Sequence, residues 1–265
     1  MDTVYQFLLP GVVVPFALSL VLIAFTLRQD WNGTWGLAAI WLLSYFWVRG
    51  LPHLPPREAV DWLWIIGIVT LVCGILPVTI KKQWLCLSGL LVLSLGVITW
   101  PVLQQGVMTG LSVELLVVIM VGAVLMRRLT AGKNNIPSAL PLAIVSGGYA
   151  VIAALGGSLL IGQLSGALAA ALGGFALYEF VPKAKATLLS VQAAVLASIW
   201  LLCLIVIGRV YANLALGPIV LLLVALVLSR LFVLQRHWQI VLVTAIPTIA
   251  AVVWLLLTQD SSSYY

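Results

Sequence analysis

Hydrophobic residues fill this chain in long runs, which short polar stretches separate. The runs reach the roughly 18 to 23 residues that a helix needs to cross a hydrocarbon core about 30 Å thick. Lipid offers no hydrogen-bond partners, so each run must satisfy its backbone groups internally, as a helix does. The pattern therefore predicts an all-α, polytopic integral membrane bundle.

We predict about ten transmembrane helices in one transmembrane domain over residues 1–265. The predicted spans are 7–27, 34–48, 62–80, 84–103, 110–126, 138–161, 164–181, 186–208, 212–229 and 238–257. Spans six and seven are separated only by Gly162 and Gln163, so the alternative of one long span over 138–181 has to be weighed.

Positive charge favours ten spans. With ten alternating spans, ten of the thirteen Lys and Arg residues fall on one side, and only Arg49, Arg57 and Arg209 fall on the other. A single span over 138–181 would divide the charges almost equally. Short loops rich in Lys and Arg stay cytoplasmic. We therefore expect both termini on the non-cytoplasmic side of a membrane, most simply the bacterial cytoplasmic (inner) membrane.

The longest cytoplasmic loop, 127–137, divides the chain into halves, 1–130 and 138–265, with five predicted spans each. Because five is odd, a duplicated unit would have inverted topology, as in many carriers. The segments VLQQG (102–106) and VLQRH (233–237) each close the fourth span of a half. An inverted repeat is therefore a hypothesis that only these two five-residue segments support.

The composition agrees with the membrane interpretation and argues against a nucleic-acid surface, a metal site and a cofactor site. Only 8% of residues are charged, against about 25% in soluble domains. The net charge of +6 comes from residues scattered in ones, twos and threes, which is a topology signal and not a nucleic-acid surface. The three cysteines lie in predicted spans without a CxxC pair, and no Walker or HExxH motif occurs. We expect no metal and no cofactor.

Spans six and seven are rich in small residues, and Ser165, Ala169 and Gly173 recur every four positions, as do Gly166 and Ala170. Small residues at this spacing let helices pack closely, although such a helix could also line a solute path. Ionisable and polar groups inside spans are candidates for function because burying them is costly. The candidates for a solute-binding site or pathway are Glu114, Tyr149, Gly166, Gly173 and Gln192.

The segment RGLPHLPPREAVDW (49–62) is the largest predicted external loop. Its simplest interpretation is a rigid, self-paired loop that orients span three. It could also bind a partner protein, or cover a lipid headgroup or a solute. The candidates in this loop are His53, Arg57, Glu58 and Asp61, which could even form an acid–base cluster in an enzyme for lipid-linked substrates.

Two functions remain open from the sequence. One is a small permease-like protein that binds or translocates a neutral or lipidic solute. The other is a non-catalytic integral membrane subunit of a larger complex. The expected partners are membrane lipids, other membrane subunits or further copies of the chain, and not nucleic acid. No recognisable catalytic motif supports an enzyme.

Overall fold

A computed structural model of the chain describes residues 9–29, 33–52, 54–75, 80–104, 109–131, 139–179, 189–231 and 237–260. Most of these residues are helical and no strand occurs among them, which confirms the all-α class. The ten α-helices of the described part are α1 (Val14–Gln29), α2 (Gly33–Arg49), α3 (Trp62–Ile75), α4 (Ile80–Leu103), α5 (Thr109–Ala131), α6 (Leu140–Leu155), α7 (Leu159–Glu179), α8 (Val191–Tyr211), α9 (Leu216–Leu231) and α10 (His237–Asp260). A π-helical turn (Leu9–Val13) precedes α1, and a 3₁₀ turn (Ala59–Asp61) precedes α3.

Five of the described helices are long and apolar enough to cross a membrane. They contain the segments Trp84–Leu103, Gly110–Thr130, Leu159–Tyr178, Val191–Tyr211 and Trp238–Thr258. Four shorter apolar segments are Gly11–Val21, Ala59–Val72, Leu140–Leu155 and Leu216–Arg230. The chain is thus compatible with an integral membrane protein, while the count of ten crossings stays a prediction.

The predicted break between spans six and seven is misplaced. Helix α6 ends at Leu155, and Gly162 and Gln163 lie inside α7. Gly157 adopts a φ of +92°, in the left-handed region that glycine tolerates without a steric penalty. The Ser158 N–H donates to Ala153 O over 2.9 Å, which closes the end of α6. The break between the helices therefore lies at Gly157, whose φ is positive, whereas Gly162 lies within α7 and packs against α6.

Helix α8 forms the centre of the bundle. Every residue from Ala193 to Gly208 is buried, and α8 packs against helices from both halves, including α3, α4, α5 and α7. The Trp200 ring stacks on Trp41 of α2, with ring centroids 4.1 Å apart. A helix that is apolar all round belongs in a core, so α8, and not α6 with α7, is the most enclosed element.

Helices α6 and α7 nevertheless pack as closely as their small residues predict. A Cβ on Gly162 would lie 3.1 Å from both Ala150 O and Ala154 Cβ of α6. A Cβ on Gly166 would lie 3.1 Å from Gly11 O, in the turn before α1. Helix α7 therefore joins α6 on one side and the start of the chain's first helix on the other.

The two halves pack differently in the described residues. Helices α9 and α10 both pack against α6, whereas their counterparts α4 and α5 make no extensive contact with α1. An inverted repeat would require matching contacts in each half. The repeat therefore stays an unsupported hypothesis.

Candidate functional site: a cleft between the halves

The loop that joins α2 to α3 is tied together by one arginine and two carboxylates. The Arg49 guanidinium lies 2.7 Å from Glu58 Oε2 and donates from Nε to Asp61 Oδ1 over 3.2 Å. The Asp61 side chain is only 1% exposed, whereas that of Glu58 is 59% exposed. The predicted self-paired loop is thus present, but its basic member is Arg49.

Asp61 also organises the backbone of the loop. Its Oδ2 accepts hydrogen bonds of 3.2 Å from the N–H groups of Arg57 and Glu58. Burial by itself would raise the pKa of Asp61, but these two N–H groups and the Arg49 guanidinium outweigh it, so its pKa lies below its usual range. Asp61 is therefore a structural carboxylate held in its charged form, which does not favour the acid–base cluster.

The lowered pKa makes the loop sensitive to acid. Its stabilisation by Asp61 is complete above the pKa of an unfolded aspartate, about 4, and is lost as the pH falls through the lower folded-state pKa. We expect the thermal midpoint in mild detergent to exceed that of Asp61→Asn at pH 7, with the gap shrinking below about pH 4. A gap that stays constant from pH 7 to pH 3 would show that Asp61 is not held charged in the fold.

A cleft of about 1070 Å³ lies beside this loop. Its walls come from the loop segment 56–62, from α4 between Val92 and Pro101, from the start of α7 at Ser158, and from the end of α8 at Ile207–Ala212. We call it the α4 cleft. Its walls belong to both halves of the chain, and most of its lining is apolar.

The α4 side of the cleft is open to the surroundings of the bundle. Leu93, Val97 and Trp100 line the cleft and are exposed on the outer face of α4. Gly96 lies among them, and a Cβ added there would meet nothing within 4 Å. The cleft therefore continues onto the apolar outer surface of α4, where Gly96 leaves a gap between the larger side chains.

The polar groups in the wall of the α4 cleft come from the loop and from the ends of helices. Arg57 and Glu58 line it from the loop, next to Trp62. Tyr211 lines it from α8, and its hydroxyl donates to Ile98 O of α4 over 2.7 Å, which joins the two helices at the cleft. The arrangement can bind an amphipathic molecule, with its apolar part along α4 and its polar part at the loop.

Glu114 is engaged in an ion pair between the halves. Arg209 of α8 donates from Nε to Glu114 Oε2 and from Nη2 to Oε1, both over 2.8 Å, and from Nη1 to Leu214 O over 3.0 Å. The pair borders an apolar cavity of about 150 Å³ among α5, α8 and α9. Glu114 thus joins α5 to α8 beside a second, smaller cavity, away from the α4 cleft.

The remaining candidates inside the spans lie apart from the α4 cleft. Tyr149 is fully buried, and its hydroxyl donates to Leu204 O over 2.7 Å, from α6 to α8. Gly166 packs against the turn at Gly11, and a Cβ on Gly173 would come no closer than 4.0 Å to Phe16. Gln192 is half-buried in the first turn of α8. The structure does not bring these four residues to one site.

Of the loop candidates, Arg57 and Glu58 line the cleft, Asp61 supports the loop, and His53 lies outside the described residues. The sequence analysis missed Arg49, Arg209 and Gly96. Arg209 could have been found, since both it and Glu114 were predicted near the outer ends of their spans. Gly96 carried no such signal, because its importance comes from the empty space that only the packed helices reveal.

No protein-family model, curated protein or solved structure matches this chain. Its function has to be argued from its own residues.

Proposed function

We propose that this chain is a small permease-like, multi-pass membrane protein that binds or translocates a neutral or lipidic solute in the α4 cleft. The observation that carries the proposal is the cleft itself, about 1070 Å³ in volume, mostly apolar and lined by both halves. Small-molecule sites typically span about 300–1,000 Å³, with hydrophobic walls and a few placed polar groups. Carriers commonly place such a site between two halves.

The open side of the cleft favours a lipidic ligand over a water-soluble one. Leu93 and Trp100 are exposed on the same face of α4 that lines the cleft. In a bilayer this face would contact acyl chains, so a lipidic molecule could enter sideways without leaving the hydrocarbon. Trp62 and Trp100 suit the headgroup zone, where indole rings are enriched.

The placement of helix ends supports the proposed topology of ten crossings. The loop before α3, the end of α4, the start of α7 and the end of α8 meet at the α4 cleft. Thr34 at the start of α2 hydrogen-bonds to Ser190 at the start of α8. With ten alternating crossings, the ends that meet at the α4 cleft all lie on one side of the membrane, and the starts of α2 and α8 both lie on the other. With the charge rule, the cleft lies on the non-cytoplasmic side, as do both termini, and the membrane is the bacterial cytoplasmic membrane.

One observation favours the alternative, a non-catalytic subunit of a larger membrane complex. Helix α8 is buried without interruption from Ala193 to Gly208, so the described centre of the bundle is almost entirely apolar. A subunit without a transport path would have such a centre. We prefer ligand binding at the cleft because an open, mostly apolar cavity with two charged residues in its wall has no evident role in a purely structural subunit.

Filling the cleft tests the proposal. We expect the wild type to co-purify with an amphiphile in gentle detergent and Gly96→Trp to lose it, as seen by native mass spectrometry. Gly96 lines the cleft and a Cβ there would meet nothing within 4 Å, so the added indole has room to begin from the backbone and would compete with a ligand for the cleft. Gly89→Trp is the matched control, since Gly89 is also exposed on α4 with nothing within 4 Å of a Cβ, and it does not line the cleft. Equal amphiphile retention by the two variants would refute binding at the cleft.

A further inference from the structure

The charged residues of the 49–61 loop form a paired group of three, Arg49, Glu58 and Asp61, and a separate arginine, Arg57. Arg49 is paired with both Glu58 and Asp61, which leaves one surplus negative charge. The exposed side chain of Arg57 carries the compensating positive charge, and it forms no ion pair with any residue that the structure describes. The four residues therefore sum to zero, but their charges are separated along the loop.

The separate arginine and one member of the paired group both line the α4 cleft. Arg57 and Glu58 line it, and Glu58 is the more exposed of the two carboxylates. A guanidinium offers paired donors that match a phosphate group. A carboxylate with surplus charge attracts a cation, and the faces of Trp62 and Trp100, which also line the cleft, attract cations as well.

Building on the proposed function, we infer that the ligand of the α4 cleft is a phospholipid with a zwitterionic headgroup. Its phosphate binds Arg57, its ammonium group lies at Glu58, and an acyl chain follows Leu93 and Val97 along α4. An anionic phospholipid would gain the contact with Arg57 but would meet the surplus carboxylate charge without a cation to balance it. An uncharged amphiphile would use neither group.

The test is a lipid panel measured by native mass spectrometry on the delipidated full chain. The probes are phosphatidylethanolamine and phosphatidylcholine (zwitterionic), phosphatidylglycerol (anionic) and diacylglycerol (uncharged), with identical acyl chains. We expect the wild type to retain one zwitterionic lipid per chain, several-fold above the other two classes. Arg57→Gln should lower this retention about tenfold, as loss of a charge-assisted contact predicts. Glu58→Gln should instead raise the share of phosphatidylglycerol.

Arg128→Gln is the matched control, because Arg128 is an exposed arginine in the last turn of α5, outside the cleft. It should leave the retention of all four lipids unchanged. Equal retention of the three classes, a preference for phosphatidylglycerol, or equal effects of Arg57→Gln and Arg128→Gln would overturn the headgroup assignment. If lipids are still lost on Gly96→Trp but not on Gly89→Trp, binding at the cleft survives. If the Gly96 variant also has no effect, the proposed function fails with it.

Discussion

Replacing Arg209 by glutamine is expected to lower the free energy of unfolding in mixed detergent micelles by about 2 kcal/mol. Removing one partner of a fully buried ion pair costs about 3–5 kcal/mol, because the other charge is left without compensation. The Arg209 and Glu114 side chains are 32% and 23% exposed, so water screens part of that loss. Arg209→Gln also weakens the hydrogen bond to Leu214 O, which holds the connection from α8 to α9.

A double-mutant cycle isolates the pair. We expect Glu114→Gln with Arg209→Gln to be less destabilised than the sum of the two single variants, because no unpaired charge remains. Arg128→Gln controls for the loss of an arginine as such, and it should change the free energy of unfolding by less than about 0.5 kcal/mol. Additive single effects would mean that the two side chains do not form the described pair.

Gly208→Ala is expected to lower the free energy of unfolding by about 3 kcal/mol. A Cβ at position 208 would overlap the Tyr149 hydroxyl and crowd Leu214. The Tyr149 ring is fully buried and cannot move aside easily. Overpacking of this kind costs about 1–3 kcal/mol, and the hydrogen bond from Tyr149 to Leu204 O, worth about 1 kcal/mol, would be lost with it.

Removing the overlapping atom tests the mechanism of this loss. Tyr149→Phe combined with Gly208→Ala should recover part of the stability lost by Gly208→Ala, because phenylalanine has no hydroxyl at the point of overlap. Gly89→Ala adds the same methyl group where nothing lies within 4 Å, so it should not destabilise the fold. A Gly208→Ala variant as stable as the wild type would place Tyr149 elsewhere.

The helical segments could be predicted from the sequence because each is a long apolar run, and length alone identifies such runs. The boundary between α6 and α7 could not be predicted in the same way. The sequence analysis placed the break at Gly162–Gln163, but the chain also has Gly156–Gly157 nearby, and the positive φ of Gly157 places the break there. Helix boundaries depend on such local conformations more than on hydropathy.

Prolines within the predicted spans take different positions in the helices. In the described residues, Pro101 and Pro247 lie inside helices, where the ring removes a backbone donor. Pro141 and Pro218 instead lie in the first turn of α6 and α9, where the N–H has no partner within the helix to lose. Hydropathy does not distinguish these two positions, so the helix starts decide which prolines interrupt a helix.

Some features of the candidate site could be predicted from the sequence, whereas others depend on how the helices pack. The 49–61 loop could be identified because so much polarity stands out in an apolar chain. Its position beside α4, α7 and α8 depends on the packing of helices that follow it in the sequence. Glu114 is likewise separate from the α4 cleft because Arg209, its partner, does not line the cleft, although Ile207 and Tyr211 of the same helix do.

Native mass spectrometry of the wild-type chain, purified in gentle detergent with everything that co-migrates, distinguishes a ligand-binding protein from a subunit of a larger complex. We expect a monomer, or a multiple of 28.5 kDa, carrying one amphiphile per chain. Stoichiometric foreign subunits in place of that amphiphile would contradict this expectation, and would identify the chain as part of a larger membrane complex.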